Sequence, residues 1–418
     1  MSAPRVPADV VTAVFRAEAG AAVATVARLT GDVGLAEDAV QEAFAVAVQR
    51  WPAHGVPDRP GAWITTTARN RALDELRREA SRPAREAAAV REALPALAAT
   101  PPVLHPVRDD QLRLLFACCH PALPRAGHVE LALRLVCGLR VPEIARALLR
   151  GEEAVARRIH RAKAKIRDAR IPLRVPPPEL LGERLPSVLD CVYLTYTEGY
   201  AATAGEDLIR HDLCDEAVRL ARLVVGLLPG RPGAEALLAL LLLQDARRPA
   251  RLDADGEIVL LADQDRARWD AERVAEGMRW LQRASAHPEI AVADAAYLYQ
   301  AAVAGEHSTA PTWQATDWPA IVVLYDRLAA LTSSPAVLLN RSVAVAHADG
   351  PARALPLLEA LADDPRLAGS HRLALALADV HRRLGDLDAA LAACAEAERL
   401  APTGPERRHV ARVRASLP

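Results

Sequence analysis

Lysine is nearly missing from this chain: among 418 residues only Lys163 and Lys165 are lysine, and arginine carries the rest of the positive charge. Aromatic residues are also scarce, at 4%, with three phenylalanines. β-Branched residues are few beside alanine, leucine and arginine, a balance that disfavours sheet and favours helix. No CxxC pair occurs among the six cysteines, Cys118, Cys119, Cys137, Cys191, Cys214 and Cys394. Their scatter argues against a disulfide framework and for reduced, mostly buried thiols. The opening "MSAPRVPADVV" has no apolar core of signal-peptide length. The run "ALLALLLL" at 236–243 is too short to span a bilayer. A nucleoside-phosphate loop, an HExxH helix and a GxSxG elbow are all missing. These absences lead to the expectation of a cytoplasmic, non-enzymatic, all-α protein with no cofactor, no metal and no membrane partner.

What is there is unevenly placed. The net charge is only −1, yet residues 134–170 carry a basic excess and the C-terminal half an acidic one, and such asymmetry is more informative than the sum. The length allows two to four domains. Residues 8–80 read as a compact helical unit: Val10 to Leu29, Ala36 to Trp51, a Pro/Gly loop "PAHGVPDRPG", and a last helix over 61–79. Residues 81–107 read as a linker and 108–172 as a second helical unit. A proline-rich hinge follows at 173–184, then a helical extension over 185–290 and helical repeats over 291–418. The repeats rest on "GPARALPLLEALADDP" from Gly350 and "GDLDAALAACAEAERLAP" from Gly385. That offset is close to the period of about 34 residues of tetratricopeptide units, which stack because one unit cannot bury its own apolar face. "DEAVRLARLVVGLLPG" at 215–230 has the same character.

Two basic segments carry the functional argument. In "GAWITTTARNRALDELRRE" (61–79), Ile64, Ala68, Ala72 and Leu76 form an apolar stripe widened by Leu73. The other side presents Thr66, Arg69, Asn70, Arg71, Arg77 and Arg78, with Trp63 at the start. In "LRLVCGLRVPEIARALLRGEEAVARRIHRAKAKIRDARI" (133–171), two short helices and the break Leu149-Arg150-Gly151 precede a helix from Glu152. Val155, Ile159 and Ile166 face inward there. Arg157, Arg158, Arg161, Lys163, Lys165 and Arg167 are assigned to the outward face, and Glu152 and Glu153 to the helix start, where acids favour the macrodipole. This is a helix-turn-helix pattern, in which cations neutralise phosphates and one or two reach guanine edges.

Together and in this order, the two segments resemble the extracytoplasmic-function sigma factors of bacterial RNA polymerase, which keep only the second and fourth sigma domains. "AEDAVQEAFAVAVQRW" (36–51) resembles the helix of that family that docks on the polymerase clamp. "AWITTTARNRALDELRR" (62–78) is similar to its promoter −10 helix, and "GLRVPEIARALL…AVARRIHRAKAKIR" to its −35 helix-turn-helix. "VYLTYTEGYAAT", "ARLDADGEIVLLADQDRARWD", "TDWPAIVVLYDRL" and "LNRSVAVAHADGP" resemble the subgroup with a C-terminal tetratricopeptide-like domain. Thr197, Ala267 and Gly151 depart from that subgroup's usual Asn, Ser and Pro.

The resemblance implies binding to core polymerase and promoter DNA, with a protein or peptide partner for the repeats. On it, Asp38, Gln41 and Glu42 dock on polymerase, or else form a plain acidic helix start. Trp63, Thr66, Arg69, Asn70, Arg71, Arg77 and Arg78 serve the −10 element. Asn70 offers a donor and an acceptor to an unstacked base, and the loop 54–61 lines its pocket. Trp63 stacks on a base or anchors the helix. Asp74 pairs with a neighbouring arginine. Glu152, Glu153, Arg157, Arg158, Arg161, Lys163 and Lys165 serve the −35 element. Two other readings stay open: a helix-turn-helix regulator that does not use polymerase, and a repeat scaffold whose basic units have decayed.

Three further motifs draw expectations. "CCHPAL" (118–123) reads as a buried helix end and not a metal site. "DADGE" (253–257) reads as a turn into a short strand. "DQDRARWD" (263–270) is either a polar network or a ligand site.

Overall fold

The computed structural model describes residues 8–80, 109–148, 150–202 and 207–417. The expected linker 81–107 and Leu149 of the expected break lie outside the described residues. Every extended element among the described residues is a helix, as composition required. The chain divides into two compact units, Met1–Thr195 and Tyr196–Pro418.

In the first unit, α1 (Ala8–Thr30), α2 (Val33–His54) and α3 (Pro60–Ala80) pack on one another. Asp32 caps α2, its carboxylate accepting from the Gly34 and Leu35 amides at 2.7 and 3.1 Å, a use of short polar side chains at orphan amides. The helix runs on through Pro52 to His54 before Gly55, at φ 81°, turns it. The Pro/Gly loop is therefore shorter than "PAHGVPDRPG" suggested. Ile64, Ala68, Ala72, Leu73 and Leu76 of α3 are all buried, and Leu73 and Leu76 pack with Leu29 and Leu35 of the neighbouring helices. Small side chains at these positions let the three axes approach closely.

Next come α4 (Asp110–Cys118), α5 (Arg125–Leu135), α6 (Val141–Ala147), α7 (Glu152–Asp168) and the start of α8 (Pro178–Tyr200). Cys118 and Cys119 are buried at the end of α4. Helix α8 begins inside the stretch expected as a hinge, because a proline is tolerated in a first turn where its missing amide has no partner to lose. Its first turns fasten to the helices before it. Arg184 donates to the Phe116 carbonyl at 3.1 Å, and Ser187 Oγ lies 3.1 Å from His128 Nδ1. Since His128 Nε2 faces the Leu123 carbonyl at 3.0 Å, that nitrogen carries the proton and Nδ1 accepts from Ser187.

The second unit continues with α9 (His211–Leu227) and α10 (Pro232–Asp245), whose "ALLALLLL" run is buried on every side. Then follow α11 (Ala271–Ser285), α12 (Val292–Thr309), α13 (Trp318–Leu331), α14 (Pro335–Ala348), α15 (Pro351–Ala362), α16 (His371–Leu384), α17 (Leu387–Leu400) and α18 (Gly404–Ala415). Consecutive helices pack as neighbours. The repeated glycines both sit at helix corners with positive φ: Gly350 (φ 96°, ψ 162°) opens α15 after α14, and Gly385 (φ 85°, ψ 6°) closes α16 before α17. Positive φ at both corners favours glycine there. The expected strand after Gly256 is not formed. A single antiparallel bridge links Leu252 to Ile258, and with no further strand beside it the pairing does not extend.

One further histidine sets an acid limit on stability. Burial, followed by Arg247 and Arg266, lowers the His307 pKa from the ordinary 6.5 to about 3. A depressed imidazole keeps the folded state from binding a proton that the unfolded chain takes up. Its contribution is therefore complete above pH 6.5 and is lost as pH falls toward 3, at about 1.4 kcal/mol per pH unit. Urea unfolding at pH 5 against pH 7 should show the loss, and His307→Phe should remove roughly 2 kcal/mol of it. An identical pH dependence in that variant would reject the assignment.

Candidate nucleic-acid interface

The outer side of α3 carries Thr66, Asn70, Arg71, Arg77 and Arg78, all exposed. At its start Trp63 is half-buried and meets the buried Trp51 edge-on, with ring centroids 5.6 Å apart. Trp63 thus anchors the helix and still presents part of its ring. Thr65 is not available in the same way, because its hydroxyl donates to the Gly61 carbonyl at 2.9 Å. The arginines are held loosely by acids on the same surface: Arg71 by Glu42 at 3.5 Å, Arg77 by Asp74 at 3.3 Å and Arg78 by Glu75 at 2.9 Å. Exposed pairs of this kind contribute little and yield readily to a phosphate. Arg69 is half-buried and carries further contacts.

Asp38, Gln41 and Glu42 are exposed along α2. Burial of its carboxyl raises the Asp38 pKa, and Lys163 nearby opposes that shift. Glu37, buried on the same helix, was not singled out from sequence. It accepts from Gln41 Nε2 at 3.1 Å, from Arg134 Nε of α5 at 2.6 Å and from Lys163 of α7. Helices α2, α5 and α7 therefore meet on one carboxylate.

Helix α7 buries Val155, Ile159, Ala162 and Ile166 and begins at Gly151, with Glu152 and Glu153 exposed in its first turn. Its cations do not all face outward as the sequence suggested. Arg158 turns in to Glu130 of α5, which is 0% exposed, donating through Nε at 2.8 and 2.7 Å. Arg150 joins the same carboxylate at 2.8 Å. This pairing raises the Arg158 pKa. Lys163 is claimed by Glu37, and Arg157 pairs with Glu153 at 2.5 Å. Arg161 and Lys165 remain exposed, as does Arg167 beside Asp168. The reason is that two acids, Glu37 and Glu130, lie within otherwise apolar helix faces and need partners. An acid within the stripe of "GHVELALRL" was the available signal for Glu130.

The two helical groups of the first unit also touch directly. Arg28 of α1 pairs with Asp110 of α4 at 2.9 Å. A Cβ on Gly20 would stand 1.9 Å from the Val136 carbonyl oxygen, so only glycine admits this approach.

Comparison with known proteins matches two stretches of the chain. Residues 14–82, spanning most of α1 through α3, match the model for Sigma-70 region 2. Residues 184–285 match a family of unknown function, DUF6596. An uncharacterized protein of Rhizobium meliloti, R00370, is 42% identical over 81% of this chain and 79% of its own length. A probable ECF RNA polymerase sigma factor, SigI, of Mycobacterium tuberculosis is 30% identical over 40% of this chain. The chain spans 58% of the SigI length. No solved structure matches. Two α-helical units, a Sigma-70 region 2 over the first three helices and an additional helical region after residue 184 place this chain among the ECF sigma factors that carry a C-terminal extension.

Proposed function

We propose that the chain is an alternative sigma factor that binds core RNA polymerase in the cytoplasm and directs it to promoters. In this reading α2, through Asp38, Gln41 and Glu42, docks on the polymerase clamp. The surface of α3, with Trp63, Thr66, Arg69, Asn70, Arg71, Arg77 and Arg78, opens the −10 element. Helix α7 reads the −35 element as the second helix of a helix-turn-helix through its exposed Glu152, Glu153, Arg157, Arg161 and Lys165, while Arg158 is kept for Glu130 and Lys163 is paired with Glu37. The helical pairs of the second unit serve as tetratricopeptide-like repeats that regulate the factor by binding a protein or peptide. The observation that carries the reading is the exposed Asn70 on a cationic helix face within the segment matching Sigma-70 region 2. Extruded bases are captured by such groups, an amide for the base edge with arginines for the flanking phosphates.

The closed contact of Glu37 with Lys163 adds a condition. Glu37 neutralises Lys163 in this arrangement, so in this reading Lys163 gives its full charge to a phosphate only when that pair opens. The test is transcription in vitro with purified protein, bacterial core polymerase and genomic promoter DNA. Transcripts should depend on both protein components, and Asn70→Ala should cut initiation at least tenfold while leaving binding to core polymerase intact. A protein that binds duplex DNA but neither core polymerase nor a melted promoter would instead be a polymerase-independent regulator.

A further inference from the structure

Four of the six cysteines, Cys118, Cys119, Cys137 and Cys191, are buried free thiols within the first unit. Two of them touch. Cys119 Sγ, in the "CCHPAL" stretch at the end of α4, lies 3.9 Å from Cys191 Sγ on α8. The two residues stand 72 positions apart in sequence, so tertiary structure and not the local chain brings them together.

The other two thiols are differently placed. Thr195 Oγ1 donates to the Cys191 carbonyl at 2.8 Å, so Cys137 Sγ, 2.9 Å from that oxygen, is the donor to it. Cys118 is 0% exposed, and burial pushes its thiol well above the usual range.

Cys119 and Cys191 differ in how near they lie to solvent. Cys191 sits inside α8 and is 2% exposed, and its contact with Cys119, followed by burial, pushes its thiol well above the usual range. Cys119 is 1% exposed, but it closes α4 and leads into the turn 120–124, where Pro121 and Ala122 are exposed. A surface turn opens locally at less cost than a packed helix does. Arg184 places a cation at this end of α4. It donates to the Phe116 carbonyl at 3.1 Å, and its Nε is buried without a partner. A nearby cation favours the thiolate, which is the reactive form of cysteine.

We propose that Cys119 and Cys191 are a redox modification site, forming a reversible disulfide when a hydroperoxide reaches the opened turn. The Cys119 thiolate attacks the O–O bond of the peroxide and becomes a sulfenic acid. With hydrogen peroxide the leaving hydroxide takes up the thiol's proton as water. Cys191 sulfur then displaces the sulfenic hydroxyl, which leaves with the Cys191 proton as a second water. Two thiols lose two electrons and one peroxide gains them. The sulfurs close from 3.9 Å to about 2.0 Å. The covalent loop so formed encloses α5, α6 and α7, and it ties the helix-turn-helix to the helix that leads into the extension. The bond stands independently of the transcription reading, since its test uses neither polymerase nor DNA.

The experiment treats the reduced full-length chain with hydrogen peroxide in native buffer. Remaining thiols are then alkylated, and the digest is analysed by mass spectrometry without reduction. A peptide pair joining Cys119 to Cys191, two hydrogens lighter than its parts and released by dithiothreitol, is expected as the main cross-link. Closing so long a loop should raise the melting temperature of the oxidised protein by about 5 °C or more. Cys119→Ala and Cys191→Ala should each lose both the cross-link and the peroxide-dependent rise. The cross-link on the parent chain needs neither variant, so a variant that fails to fold leaves the test intact. No cross-link in native buffer, or one formed only in urea, would overturn the proposal. So would a main cross-link between Cys137 and either residue.

Discussion

Replacing Glu130 by alanine should destabilise the first unit by about 3 kcal/mol, the low end for breaking a buried ion pair, because both cationic partners keep a path to solvent. The carboxylate is wholly enclosed and holds Arg150 at 2.8 Å and Arg158 at 2.7 Å. Those two residues lie on either side of the start of α7, so one acid sets where that helix begins and how it is rotated. Urea unfolding of the alanine variant measures the loss. Glu130→Leu combined with Arg158→Met should recover much of it, since well-packed apolar groups of similar volume often replace a buried pair at little cost. A loss below about 1 kcal/mol would mean that the pair gains no more than a surface contact does.

Glu37→Gln should have the opposite sign for DNA. The amide keeps the size of the side chain and removes the charge that holds Arg134 and Lys163. Stability should fall, while affinity for duplex promoter DNA should rise about tenfold, equivalent to about 1.4 kcal/mol and within reach of one charge-assisted bond released. Each freed cation that reaches a phosphate steepens the dependence of log affinity on log salt by about 0.9. Binding measured across a salt series therefore separates a released lysine from a general loosening. Unchanged affinity with an unchanged slope would show that Glu37 and DNA do not compete for Lys163.

Much of the helical frame was legible because local periodicity and core burial agree. Ile64, Ala68, Ala72 and Leu76 were read as one stripe and all are buried, as are Val155, Ile159 and Ile166. The rotation of individual cations was not legible. Arg158 and Lys163 look like their neighbours along α7, and what distinguishes them lies far away in sequence, on Glu130 and Glu37. Periodicity assigns a face to a residue but cannot supply a partner from another helix. The strand expected after Gly256 failed for a related reason: "EIVLL" has strand character, but a strand needs an adjacent edge and the fold provides one bridge. The "DQDR" motif was visible as a dense polar stretch, and its clamp on the carbonyls of residues 307 and 310 came only with the tertiary structure.

The scarcity of lysine has a chemical corollary. Besides the chain's α-amino group, the protein offers two primary amines, and they stand two residues apart on one helix. Lys165 is exposed, whereas Lys163 is 22% exposed and engaged by a carboxylate. Acylation of side-chain amines, whether by a cellular enzyme or by a laboratory reagent, thus converges on α7, where it removes a positive charge. Enzymatic or chemical acylation elsewhere on the side chains of this protein has no lysine to act on.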